Sequence, residues 1–64
     1  MSSAIMKYFE YEHLPERLQE ISRPVGELAY AMDAILPECE EKWIGIRKLL
    51  EAKDALVRAR LEEQ

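Results

Sequence analysis

Apolar residues recur through the first half of the chain at Leu14, Leu18, Ile21, Val25, Leu28, Met32 and Ile35. Steps of four and three hold side chains on one side of an α-helix, so the pattern predicts a helical rod over residues 15 to 36. Pro15 suits its first turn, where a missing N–H is no loss, and Glu16 complements the positive helix end. Pro24 lies inside the rod and cannot donate to the carbonyl of Glu20. That predicts a kink near residues 20 to 24 and polar backbone groups around Ser22 and Arg23 open to a ligand or water. Gly26, lacking a Cβ, allows close approach of another chain.

The second half carries a broader apolar face. At ~100° per residue, Trp43, Ile46, Leu49, Leu50, Leu56, Val57 and Leu61 fall within an arc of roughly 140°, which predicts a second helix over residues 38 to 62. Between the two, Pro37 stops the first helix near Leu36. The acidic run Glu38, Glu40 and Glu41 meets the positive start of the second helix, and Arg58 and Arg60 lie in its last turns. A link this short forces the helices to run antiparallel. Gly45, which weakens the helix by up to about 1 kcal/mol relative to alanine, marks a place for a close helix crossing.

Residues 1 to 14 lack helical periodicity. Phe9 and its flanking tyrosines alternate with polar residues, but no second strand exists for them to pair with. The segment is therefore expected to be an extended arm, lying on the helices or on a neighbouring subunit. The fold expected is all-α: an antiparallel helical hairpin with a short N-terminal arm, one domain over residues 1 to 64.

The apolar arc is wider than a coiled-coil seam, so it calls for one neighbour from the same chain and one from another copy. Length points the same way. A chain of 64 residues buries only about 60% of the surface it exposes when unfolded, and small domains compensate with disulfides, metal or oligomerisation. Cys39 is the only cysteine and His13 the only histidine, which excludes an intramolecular disulfide and a Cys/His zinc site. Cys39 itself is read as inert packing in the turn. A compact homo-oligomer is what remains.

Charge narrows the partners. A net charge of −4 disfavours DNA or RNA polymers and anionic membrane surfaces, and no apolar run reaches the ~18 residues needed to span a bilayer. A soluble, intracellular protein is expected. A small anion is compatible with the acidic balance where several copies collect their arginines. Lys53 and Arg60 fall near the middle of the apolar arc, where they either snorkel outward, pair with carboxylates across an interface, or line an anion site between subunits. Arg23 sits away from the apolar stripe, paired with Glu27 at i,i+4, solvated, or facing a ligand. The arm tyrosines either anchor the arm or offer a stacking platform for a base.

Catalysis has little to stand on: no nucleophile partner for His13, no glycine-rich phosphate loop and no metal-ligand spacing. The chain is expected to be a binder, not an enzyme, and to use no cofactor. Arginine forks suit phosphate oxygens and tyrosine rings suit purine faces, and a symmetric oligomer would pair them.

The segments Phe9-Glu10-Tyr11-Glu12-His13-Leu14-Pro15, Leu28-Ala29, Met32-Asp33-Ala34-Ile35-Leu36-Pro37, Arg47-Lys48-Leu49-Leu50-Glu51-Ala52-Lys53-Asp54-Ala55 and Val57-Arg58-Ala59 resemble the helical-hairpin domain of phage anti-CBASS proteins, over roughly residues 8 to 61. The resemblance implies a homohexamer without catalytic activity that sequesters cyclic dinucleotides, and in some members cyclic trinucleotides in a separate pocket, in the host cytoplasm. It implies a first-helix cation on the phosphate, by position Arg23, and an arm tyrosine on the base, Tyr11 within the matching Tyr-Glu-His-Leu-Pro or Tyr8 if the arm carries a gap. A C-terminal arginine, Arg58 or Arg60, would serve the second pocket, with His13 and Ser22 completing the nucleotide-binding set. Pro24, directly after Arg23, departs from the family pattern and bears on ligand preference. Two alternatives stay open: a sponge for cyclic ADP-ribose isomers of the related anti-Thoeris type, and a helical protein-interaction module with no small ligand.

Overall fold

The computed structural model describes residues 4–63. The chain is helical throughout its regular structure, with a 3₁₀ helix at Ala4–Phe9, α1 at Glu16–Ile35 and α2 at Glu40–Leu61. No strand occurs among the described residues. The two long helices pack side by side as a hairpin, and the 3₁₀ helix lies against both.

α1 starts where the sequence placed it. The Pro15 carbonyl accepts from the backbone N–H of Leu18 and Gln19 at 2.9 and 3.0 Å, and Gln19 Nε2 donates back to the Leu14 carbonyl at 2.8 Å. This ties the loop ahead of the helix to its first turn. α1 runs unbroken through Pro24 and ends as Leu36 turns extended ahead of Pro37.

The hairpin turn is held by a side chain that periodicity alone did not single out. The Lys42 side chain is only 4% exposed. Its Nζ meets Asp33 Oδ1 at 2.8 Å, donates to the Asp33 carbonyl at 3.0 Å and reaches Glu38 Oε1 at 3.3 Å. The ammonium thus sits at the carbonyl end of α1, where the helix dipole favours a cation. Trp43 Nε1 donates to Glu38 Oε2 at 2.8 Å. A buried charge is tolerable only when paired and hydrogen-bonded in this way. Lys42 shares the helical phase of Lys53 and Arg60, so the cationic stripe on α2 begins about three turns earlier than those two suggested.

The arm departs from the extended form expected of it. Residues 4 to 9 wind into a 3₁₀ helix, in which side chains three apart lie on one edge. Met6 and Phe9 form that edge, 7% and 0% exposed. They join Ala29 and Ile46 as the buried apolar cluster, with Ile5, Val25, Trp43, Leu49 and Leu50 packed around them.

The face of α1 that receives the arm is also not the one the apolar stripe marked. Ser22, Gly26 and Ala29 are the buried residues of α1, while Leu28 and Ile35 stand 47% and 70% exposed. Gly26 explains the choice. A Cβ there would lie 2.8 Å from the Phe9 carbonyl oxygen and 3.3 Å from the Tyr11 ring, so the chain's own arm, and not another chain, makes the close approach. At Gly45 nothing among the described residues, beyond its own stretch of helix, lies within 4 Å of the corresponding position. The close crossing expected there does not occur inside this chain. Cys39, expected to pack, is exposed.

Candidate functional site

The loop between the 3₁₀ helix and α1 carries the candidate site. Phe9 is its buried anchor on one side. On the other, the Leu14 N–H donates to the Tyr11 carbonyl at 3.0 Å and Gln19 holds the carbonyls of Leu14 and Glu12. Tyr11 is therefore fixed at both ends of its loop and lies against the bare backbone of Gly26.

This places Tyr11 next to Arg23, twelve residues on. The Arg23 guanidinium carbon stands 5.4 Å from the centroid of the Tyr11 ring, within cation–π range. Arg23 Nη2 donates to Gln19 Oε1 at 3.4 Å, and the Tyr11 hydroxyl donates to Glu27 Oε2 at 3.4 Å. Glu27 thus partners the tyrosine rather than Arg23. Arg23 is exposed and Tyr11 half-buried. One edge of α1 then offers a ring and a planar cation side by side, bordered by a shallow depression lined by Glu16, Arg17, Gln19, Glu20, Arg23 and Pro24.

The other side of Tyr11 is more acidic. Glu10, Tyr11, Glu12, His13 and Tyr30 line a second depression. Burial, helped by the negative charge of Glu10, then by Tyr11 once it ionises and by Glu12, pushes the Tyr30 hydroxyl above the usual tyrosine value. The Arg23 side, where Arg17 and Arg23 balance Glu16 and Glu20, opposes an anion less than the side of Glu10 and Glu12 does.

The remaining sequence candidates lie elsewhere. Tyr8 is 56% exposed on the outer side of the 3₁₀ helix, with Lys7 Nζ 5.4 Å from its ring centroid. His13 is exposed at the acidic depression. Ser22, expected to open onto a ligand, is 1% exposed and its Oγ has no hydrogen-bond partner among the described residues. The neighbouring small residues Gly26 and Ala29 explain this, because they draw the arm down over that side of α1. Arg58 is exposed near the end of α2.

Arg60 is committed inside the chain. Its Nη1 pairs with Glu20 Oε1 at 2.9 Å, its Nε lies 3.4 Å from Glu63 Oε1, and the Glu20 hydrogen bond is the main cause that raises its pKa further. Arg17 and Arg60 also donate to each other's backbone carbonyls at 3.0 and 3.2 Å. These four charged residues fasten the open end of the hairpin. Arg17 is a further fastening side chain that periodicity did not single out; its place one turn ahead of Glu20, opposite the arginines of the last α2 turn, was the available signal. Lys53 reaches Asp54 at 3.1 Å. The cations in the apolar arc are thus paired with carboxylates within one chain.

No group of three or more His, Cys, Asp or Glu among the described residues could hold a metal ion, and no described helix is long and apolar enough to cross a membrane. No protein-family model, curated protein or solved structure matches the chain.

Proposed function

We propose that this chain is a non-catalytic binder that sequesters cyclic oligonucleotide second messengers, cyclic dinucleotides first, in the host cytoplasm, and so antagonises bacterial CBASS immunity. It does so as a homo-oligomer, on the family resemblance a hexamer. The observation that supports this reading is the Tyr11 ring beside the Arg23 guanidinium at 5.4 Å. A cyclic dinucleotide presents a flat base next to a phosphate, and these are the partners that a tyrosine face and an arginine fork take.

The carboxylates at Glu10 and Glu12 give the ligand a direction, with the base over Tyr11 and the phosphate toward Arg23. One chain supplies one ring and one cation. A two-fold assembly supplies two of each, matching a ligand with two bases and two phosphates. Arg60, already paired with Glu20 and Glu63, is a weaker candidate than Arg58 for a second pocket.

Titration calorimetry with a cyclic dinucleotide tests the reading. Arg23→Ala is expected to weaken binding by about tenfold or more, and Tyr11→Ala to cost about 1 to 3 kcal/mol per base, with Tyr8→Ala close to the parent. An unchanged titration for Arg23→Ala removes Arg23 from the site. Heating the complex should return intact cyclic nucleotide; linear product would mean a hydrolase. Preferential binding of cyclic ADP-ribose isomers in the same titration would move the reading to the anti-Thoeris type.

A further inference from the structure

The hairpin has two broad sides, and its own arm covers one. The other is apolar and open. Two concavities run along the groove between α1 and α2 there. One has Ile21, Pro24, Val25 and Leu56 along its floor and the Glu20, Arg60 and Glu63 charges at its end; the other has Met32, Leu36, Gly45 and Leu49, bordered by Glu41 and Lys42. Between them Leu28 stands 47% exposed, and Leu56 and Leu36 are 50% and 43% exposed. These side chains are spread along both helices, so the exposure is a continuous strip and not scattered single residues.

Gly45 adds an independent observation. Glycine inside a helix is destabilising relative to alanine, and among the described residues nothing beyond its own stretch of helix comes within 4 Å of where its Cβ would lie. Gly26 has a reason in the fold and Gly45 has none. A glycine that lines an open apolar groove without an intramolecular neighbour is accounted for if a second backbone seats against it.

We infer that this open side is the surface on which a second copy of the chain packs, with Gly45 at its point of closest approach. Size and shape favour a copy of itself. The exposed surface, 4631 Å², exceeds the ~4,200 Å² expected of a 7.5 kDa globular monomer, and the radius of gyration, 12.2 Å, exceeds the ~10.7 Å of a compact chain of this length. One long side of a body 41 × 18 × 17 Å in extent is comparable to the ~800 Å² that each partner contributes to a stable interface. A second hairpin matches the strip in length and completes a four-helix layer. The inference shares self-association with the proposed function but needs no ligand.

Analytical ultracentrifugation of the full chain at micromolar concentration tests it, with circular dichroism as the check on folding. Gly45→Ala is expected to keep or raise helix content while weakening self-association by about tenfold or more, and Leu56→Glu, at a half-exposed position, to yield a folded single copy. Gly45→Ala that associates as tightly as the parent overturns the role of Gly45. An intact oligomer in Leu56→Glu overturns this surface while leaving oligomeric sequestration standing through another face. A parent chain that is a folded monomer overturns both. Retained cyclic dinucleotide binding by monomeric Leu56→Glu would show that the surface is right and that the ligand site needs only one copy.

Discussion

The two sides of the hairpin solve opposite problems with the same residue type. On the covered side, Gly26 lets the Phe9 carbonyl and the Tyr11 ring sit where a Cβ would be, and the chain closes on itself. On the open side, Gly45 leaves a gap that the described residues do not fill. The contrast shows that a glycine in a helix is informative only once its neighbours are known, because its weakening of the helix is the same in both places and its compensation is not.

The sharpest way to break the covered side is to remove its anchor. Phe9→Ala empties a site that is fully enclosed and is expected to lose about 3 to 5 kcal/mol in urea denaturation, a large share of the stability of any small domain. Loss below 1 kcal/mol would mean that the arm is not docked in solution. Next in size, Gly26→Ala should destabilise by about 1 to 3 kcal/mol through overpacking, because the clashing atom is backbone. The same substitution at Gly45 should not harm the isolated fold, and equal effects at the two positions would abolish the contrast.

Smaller effects sharpen the picture. Ser22→Ala removes a buried hydroxyl without a partner and is expected to be neutral or to stabilise by up to about 1 kcal/mol; clear destabilisation would show that the Oγ has a partner in solution. At the turn, the contact with Asp33 leads in raising the Lys42 pKa, opposed by burial and aided by Glu38. A raised folded-state value gives stability that is full below the ordinary lysine pKa of about 10.4 and lost as pH climbs through the folded value. Tyr30, also raised, acts in the same direction near pH 10. Melting temperature should therefore fall in the alkaline range, less steeply in Lys42→Met, and a variant with the parent's slope would leave the turn lysine out of the effect.

The two long helices and the turn were legible because their signals are local. Steps of three and four, Pro15 and Pro37 act within a turn of themselves. The arm was not legible, because a 3₁₀ edge of Met6 and Phe9 is chosen by what it packs on. That surface is Ser22, Gly26 and Ala29, small residues to which a pattern of large apolar side chains gives no weight. The same reason placed Leu28 and Ile35 in a core that they do not join. For the site, Tyr11 and Arg23 were both named from the chain, but their adjacency depends on Gly26, and the burial of Ser22 follows from the docking that makes it. The pairing of Arg60 with Glu20 needed the antiparallel register as well as the helix phase.

Ala4 lies by the start of α2, near the turn, whereas Glu63 lies by Arg17 and Arg60 at the far pole. The described ends of the chain thus sit at opposite poles of a rod about 41 Å long. Joining two copies head to tail on one polypeptide becomes a ruler for how they align. If neighbouring rods point in opposite directions, a few glycine and serine residues bridge one end to the next. If they point the same way, the tether must run the length of the rod, at least about 12 residues when fully stretched. The shortest tether that preserves the paired state therefore reports the mutual orientation without any further image of the assembly.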